Sequence, residues 1–159
     1  MSLPATTALD GVTIAPSSAL AEAIGARDAI FAMTRTAEEA VLRPAETGAW
    51  SHALRHALAA RIAARNGLPD LAARHAEGAG EHAGLADPGH LPDGDLRIVL
   101  AFMDVVAAHP RDVTAAAVAG LQGAGIADAD IVRLAELNAF MAYHCRLIAG
   151  LRLLAGDSA

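Results

Sequence analysis

Lysine is absent from the chain, and all twelve basic residues are arginine. Schiff-base chemistry through a lysine amine is therefore excluded. Aromatic residues make up only 3%, against 54% apolar residues in all, so the core must be built from Ala, Leu, Val and Ile. Small side chains on amphipathic segments imply closely packed helices. A helical chain with so little bulk per residue commonly completes its core by pairing with copies of itself. The single cysteine, Cys145, excludes an intramolecular disulfide and fits a reducing cytoplasm. No apolar run approaches the ~20 residues needed to span a bilayer, so no membrane association is expected. A charged stretch followed by an apolar block is missing near Met1, so no signal peptide is expected and the location should be cytoplasmic. A formal charge of −6 leaves no basic stripe to neutralise phosphates, which argues against a nucleic-acid partner.

What is present is helical periodicity, enough for a single core over 159 residues. Residues 1–16 mix Pro, Thr, Gly and single apolar residues without a period and read as an extended arm, whose Leu3, Leu9, Val12 and Ile14 are free to dock on the body or on a neighbouring subunit. The remainder, 17–159, reads as one domain. Ser17-Ser18 supplies caps for a helical pattern reaching about Leu42, with a break near Gly25 and a stop at Arg43-Pro44. The segment GLADPGHLPDGD after His82 reads as a surface loop. A helix is expected from Asp95 to Ala108, another from Val113 to Gln122 capped by Asp112, and a last, long one from about Ala129 to Ala155 opened by Asp128. No stretch alternates with period two for long enough to form a strand. The fold class is all-α.

The organising stretch is Trp50–His82, which reads as helix, tight break, helix. Leu54, Ala57, Leu58, Arg61 and Ile62 form one stripe at three- and four-residue spacing. Ser51 caps the start, Asn66-Gly67 supplies a left-handed ending, and Pro69 fits the first turn of the second helix. Four of the seven histidines fall here: His52, His56, His75 and His82.

These residues resemble the central motif of the carboxymuconolactone decarboxylase and alkylhydroperoxidase D superfamily, in which a capped helix carries a glutamate and an arginine, followed by Asn-Gly and Cys-x-x-Cys-x-x-x-His. Ser51, Arg61, Asn66-Gly67 and His75 match that pattern. The turn GIADADIV and the long helix with Asn138 and Arg146 are similar to the family's closing helix, and the resemblance spans roughly residues 27–155. It implies an alkylhydroperoxidase D-like bundle of about six helices that assembles as a homo-oligomer, a trimer or hexamer, with sites near subunit interfaces. The departures are equally informative. The two cysteines fall on Leu68 and Leu71, and the glutamate on His56. Peroxide reduction by this family's chemistry needs a thiolate and a resolving thiol. Leucine supplies neither, so the dithiol peroxidase mechanism looks excluded.

The resemblance makes His56 and His75 the candidate catalytic pair, since they occupy the family's acid/base positions and an imidazole with a pKa near 6.5 shuttles protons near neutrality. The alternative is that His56 is a partly buried helix residue bonded to a backbone carbonyl and His75 a relic. Leu68, Leu71 and Asp70 mark the former dithiol pocket. Asp70 orients His75 on one view and is a solvated first-turn residue on the other. Tyr143 and Arg146 are candidates for holding a ligand carboxylate, with a structural ion pair as the alternative for Arg146. The spacing His52-x-x-x-His56 puts two imidazoles on one helix face, and adding His75 gives a three-histidine set for a divalent metal. That set competes with the expectation of no cofactor. Cys145 reads as a small buried hydrophobe rather than a nucleophile. Three functions follow: non-redox acid/base chemistry on a small organic acid or lactone, a non-catalytic small-ligand-binding or assembly protein, or a histidine metal site.

Overall fold

In a computed structural model that describes residues 3–156, the chain is helical throughout and no strand occurs among those residues. The helices are α1 (Ala19–Gly25), α2 (Asp28–Leu42), α3 (His52–Arg65), α4 (Pro69–Glu77), α5 (Asp95–Ala108), α6 (Ala115–Gly123) and α7 (Asp128–Ala155). Three short 3-10 segments, Thr7–Leu9, Gly80–Ala86 and Pro110–Asp112, lie between or before them. The helical pattern running up to Leu42 breaks after Gly25, as expected, into two helices separated at Ala26 and Arg27.

Helix α3 is the centre of the molecule. Every residue from Leu54 to Ala63 is buried, and the helix packs against α2, α4, α5, α7 and the segment Gly80–Ala86. Ala57, Ala59, Ala60 and Ala63 are completely covered, so neighbouring backbones approach it closely, as the scarcity of aromatic residues demands. Its ends are set locally. Ser51 accepts a bond from the Leu54 amide at 3.2 Å, and Gly67 follows Asn66 at a φ of +71°, a conformation that costs glycine little. Pro69 then begins α4, with Leu68 as its cap residue.

A helix buried on all sides must satisfy any polar side chain it carries. Arg55 and Arg61 do so by pinning the connectors on either side. Arg55 donates to the Trp50, Val41 and Thr47 carbonyls at 2.9–3.0 Å. Arg61 forks onto Asp104 through Nε and Nη2, both 2.8 Å. It also donates to the carbonyls of Leu85, Asp87, His90 and Pro88. The surface loop expected after His82 is therefore anchored from inside, and its first part is 3-10 helix with Leu85 buried.

Two further expectations are corrected. Asp112 ends the segment Pro110–Asp112, and Thr114 caps α6 instead by accepting from the Ala117 amide at 3.3 Å. Residues 3–16 are not simply extended. The segment Thr7–Leu9 docks on the body, with Ala8 fully covered in a small core with Ile24, Phe31 and Leu151, against which Leu3, Leu9, Val12 and Ile14 pack. No helix among the described residues is long and apolar enough to cross a membrane.

Candidate functional site

A cavity of about 840 Å³ opens between α2, α3, α4 and the N-terminal segment. Periodicity explains what reaches it. On α2 the buried residues are Phe31, Thr34, Glu38 and Leu42, three or four apart, so the core-facing stripe carries a carboxyl group. On α4 Leu71 and His75 are buried one turn apart. His56 comes from the middle of α3, and Thr7 from the N-terminal segment.

The two imidazoles meet. The ring centroids of His56 and His75 are 5.8 Å apart with the planes tilted by 45°. His56 Nδ1 and His75 Nε2 are buried and make no hydrogen bond, so the carbonyl partner expected for His56 is not found at that atom. Burial strips water from both rings and disfavours their charged forms. The His75 pKa falls to about 3, with His56 and His144 adding Coulombic pressure. That of His56 is lowered by the same loss of solvent and by Arg43. Both are neutral at physiological pH.

Close by lies a second arrangement that sequence reasoning did not single out. The Thr7 hydroxyl donates to Glu38 Oε2 at 2.6 Å, and Thr7 Oγ1 also lies 3.2 Å from His144 Nε2. Burial raises the Glu38 pKa, against the lowering effect of the Thr7 bond and of Arg74. His144, fully covered on α7, has its pKa pushed down to about 4 by burial. The signal was in the pattern: Glu38 and His144 are titratable residues standing at core positions of mostly apolar helical stripes.

The rim is charged. Arg43 pairs with Glu39 at 3.6 Å, Arg74 with Asp10, and Asp70 with Arg152 at 3.3 Å. Arg35 borders the cavity without an ion pair among the described residues.

The remaining sequence candidates are distributed elsewhere. Leu68 and Leu71 are each only 5% exposed and belong to the main hydrophobic core; they do not line the cavity. Asp70 is on the cavity rim, on the first turn of α4, and engages Arg152 rather than His75. The Tyr143 hydroxyl bonds Thr34 Oγ1 at 2.9 Å, joining α7 to α2, and the residue does not line the cavity. Arg146 is exposed beside a separate depression with Arg65 and Asn66. Neither therefore reaches the imidazoles. The ring of His52 is turned to the Pro44 carbonyl, 2.9 Å from Nε2, so the three-histidine set is not assembled. Among the described residues no three His, Cys, Asp or Glu side chains come together in a metal-holding arrangement. Cys145 is buried in the core, where desolvation lifts its thiol to about 11.

The cavity thus gathers neutral imidazoles, a buried carboxyl and an unpaired guanidinium, a set suited to binding a small anion and moving protons on it. Comparison with known proteins adds no further constraint: no protein-family model, curated protein or solved structure matches the chain significantly.

Proposed function

We propose that the chain is an acid/base enzyme acting on a small organic acid or lactone, with the His56–His75 pair as the proton-handling centre. The observation that carries this reading is the meeting of two unprotonated imidazoles, 5.8 Å apart, on the wall of one cavity. Each retains a buried ring nitrogen without a partner. An uncharged imidazole accepts a proton, and the obstacle here is desolvation rather than a competing bond. A carboxylate bound beside the rings would offset part of that penalty, because an opposite charge within a few ångströms favours imidazolium. Arg35 is the guanidinium free to hold such a group, which replaces the Tyr143 and Arg146 pair expected from sequence.

The same reading treats the chain as a member of the carboxymuconolactone decarboxylase and alkylhydroperoxidase D superfamily whose dithiol has given way to leucines. Supporting it are the order of Ser51, Arg61, Asn66-Gly67 and His75 and the position of Leu68 and Leu71 two turns and one turn before His75. Assembly as a trimer or hexamer belongs to this proposal as well. Ile30 and Met33 on α2 are 48% and 63% exposed, and Leu153 and Leu154 at the end of α7 are 63% and 72% exposed, apolar area of the kind subunit contacts cover. Light scattering on the purified protein tests that part.

The chemical proposal is tested by proton exchange. Wild-type protein in D2O should wash deuterium into the carbon next to the carbonyl of 2-oxobutanoate or of a γ-lactone carboxylate. His75→Gln and His56→Gln should each slow the exchange by about 10²-fold, and Arg35→Ala should raise KM. Undiminished exchange in both histidine variants would remove the pair from the mechanism. A binding or assembly protein is the competing outcome, indicated by saturable binding of the same acids with no exchange.

A further inference from the structure

Thr7 has one hydroxyl proton and two neighbours that compete for it. Its oxygen is 2.6 Å from Glu38 Oε2 and 3.2 Å from His144 Nε2. When Glu38 is ionised its oxygens only accept, so the Thr7 proton is committed to Oε2. The bond to His144 can then form only with Nε2–H as donor and the Thr7 lone pair as acceptor. This fixes the ring as the Nε2–H tautomer and leaves Nδ1 as a bare acceptor, consistent with Nδ1 being buried without a donor. The direction of every bond in the chain His144→Thr7→Glu38 follows from this one count. The second carboxylate oxygen, Oε1, makes no hydrogen bond among the described residues, while Glu38 itself lines the cavity.

We propose that Glu38 is a catalytic acid/base group of the cavity and that Thr7 and His144 are its positioning residues, so that the N-terminal segment completes the site. This assignment rests on the proton-transfer reading of the cavity and adds a carboxyl group to the two imidazoles. Its ligand class is a carbon acid that bears an anionic group, with Oε1 of Glu38 taking the carbon-bound proton. In that step the C–H bond breaks, its electron pair stays on the carbon as an enolate, and an O–H bond forms on Glu38. Return of the proton to carbon restores the carboxylate. Neither oxidant nor reductant is consumed.

The environment supports a carboxyl that changes protonation readily. Burial raises the Glu38 pKa, opposed by the Thr7 bond and the charges of Arg74 and Arg43, and reinforced by Asp10. His144 faces Asp10 and Arg74 and lies near His75, yet stays neutral because its pKa is down at about 4. It can therefore orient Thr7 without taking the Glu38 proton. Ala8, completely covered beside Ile24, Phe31 and Leu151, holds the hydroxyl in place from the next residue.

The test joins a substrate-free measurement to the exchange assay. Carbon-13 titration of the Glu38 carboxyl should show a midpoint that moves to higher pH in Thr7→Val, which removes a bond favouring the ionised form, and returns in Thr7→Ser. Nitrogen-15 spectra should show His144 as the Nε2–H tautomer. With 2-oxobutanoate in D2O, Glu38→Gln should lose about 10²-fold or more of the exchange rate, and Thr7→Val should displace the pH profile upward, with Thr7→Ser restoring it. An unmoved Glu38 midpoint in Thr7→Val, or His144 as the Nδ1–H tautomer, would overturn the positioning chain whatever the exchange assay gives. Full exchange in Glu38→Gln would overturn the catalytic assignment alone. Absence of exchange by wild-type protein would overturn the proton-transfer reading and the catalytic role of Glu38 with it, while the titration still decides the chain.

Discussion

Gly78 presses its bare Cα against the imidazole of His56: a Cβ there would stand 2.7 Å from Cγ and 2.9 Å from Nδ1 and Cδ2. The backbone at Gly78 has φ −86° and ψ −4°, which any residue adopts, so the glycine is required by the ring and not by the turn. A methyl must therefore displace the imidazole from the cavity wall. Gly78→Ala should destabilise the protein by about 1–3 kcal/mol, as overpacking does, although alanine would ordinarily be neutral or stabilising at such a position. A double-mutant cycle with His56→Ala checks the cause. The second change should recover most of the loss, since it removes the group that clashes. Additive effects would show that the two residues do not constrain one another.

The lowered histidines make stability depend on pH in a definite direction. Unfolded, each binds a proton near pH 6.5; folded, His75 does so only near 3 and His144 near 4. Between those limits the unfolded chain holds more protons, so acidification from pH 6.5 toward 4 must destabilise the fold. Glu38 acts in the opposite sense, because its folded pKa lies above 4.5 and its contribution is lost as pH rises through that value. The histidines outnumber it. Urea denaturation from pH 7 to 4.5 should show a falling free energy, and His75→Gln should flatten the slope by up to about 1.4 kcal/mol per pH unit. A slope that His75→Gln leaves unchanged would mean that the ring is not held neutral by burial.

Much of the frame was legible because its signals are local. Ser51, Gly67 and Pro69 mark helix ends by chemistry confined to a few residues, and the structure places them as expected. That His56 and His75 belong together was expected only through the family resemblance, and the structure brings their rings to 5.8 Å. The errors have two sources. Tyr143 and Arg146 are exposed positions of α7 whose neighbours lie away from the cavity: Tyr143 meets Thr34 of α2, and Arg146 borders a depression with Arg65 and Asn66; periodicity does not say which neighbour such a position meets. Leu71 stands on the buried stripe of α4 with His75, and Leu68 caps that helix, but packing drew both leucines into the core, which composition alone does not decide. Thr7 lies in a stretch without a period, and its partners are 31 and 137 residues away. No local rule reaches that far.

Arg61 illustrates a contact of that long-range kind. Its side chain is 1% exposed, and Asp104, which pairs with it, is 17% exposed. Asp104→Ala would leave a buried guanidinium without its counter-charge, a change that typically costs about 3–5 kcal/mol. Arg65, 3.4 Å from the same carboxylate, would add to the imbalance. The carbonyls of Leu85, Asp87, Pro88 and His90 also depend on Arg61, so Arg61→Met should loosen the segment from 85 to 90 as well. Hydrogen exchange should show that loosening before global unfolding. An Arg61→Met protein with unaltered exchange in this segment would contradict the anchoring role.

The thiol of Cys145 is 3% exposed in the main core, and burial outweighs the neighbouring Arg146 charge in setting its pKa near 11. The thiolate fraction at pH 8 is then on the order of 10⁻³, and only the thiolate attacks. A disulfide reagent should therefore modify native protein far more slowly than unfolded protein, with a rate that follows the population of opened molecules as urea is added. By the same argument the chain should not reduce organic hydroperoxides with a dithiol reductant, and Cys145→Ser should leave that baseline unchanged. Peroxide turnover that disappears in Cys145→Ser would establish one-cysteine chemistry and require the core around α7 to open during catalysis. Turnover that persists in the variant would instead place redox chemistry at a group other than a thiol, which the neutral imidazoles and carboxyl of the cavity do not supply.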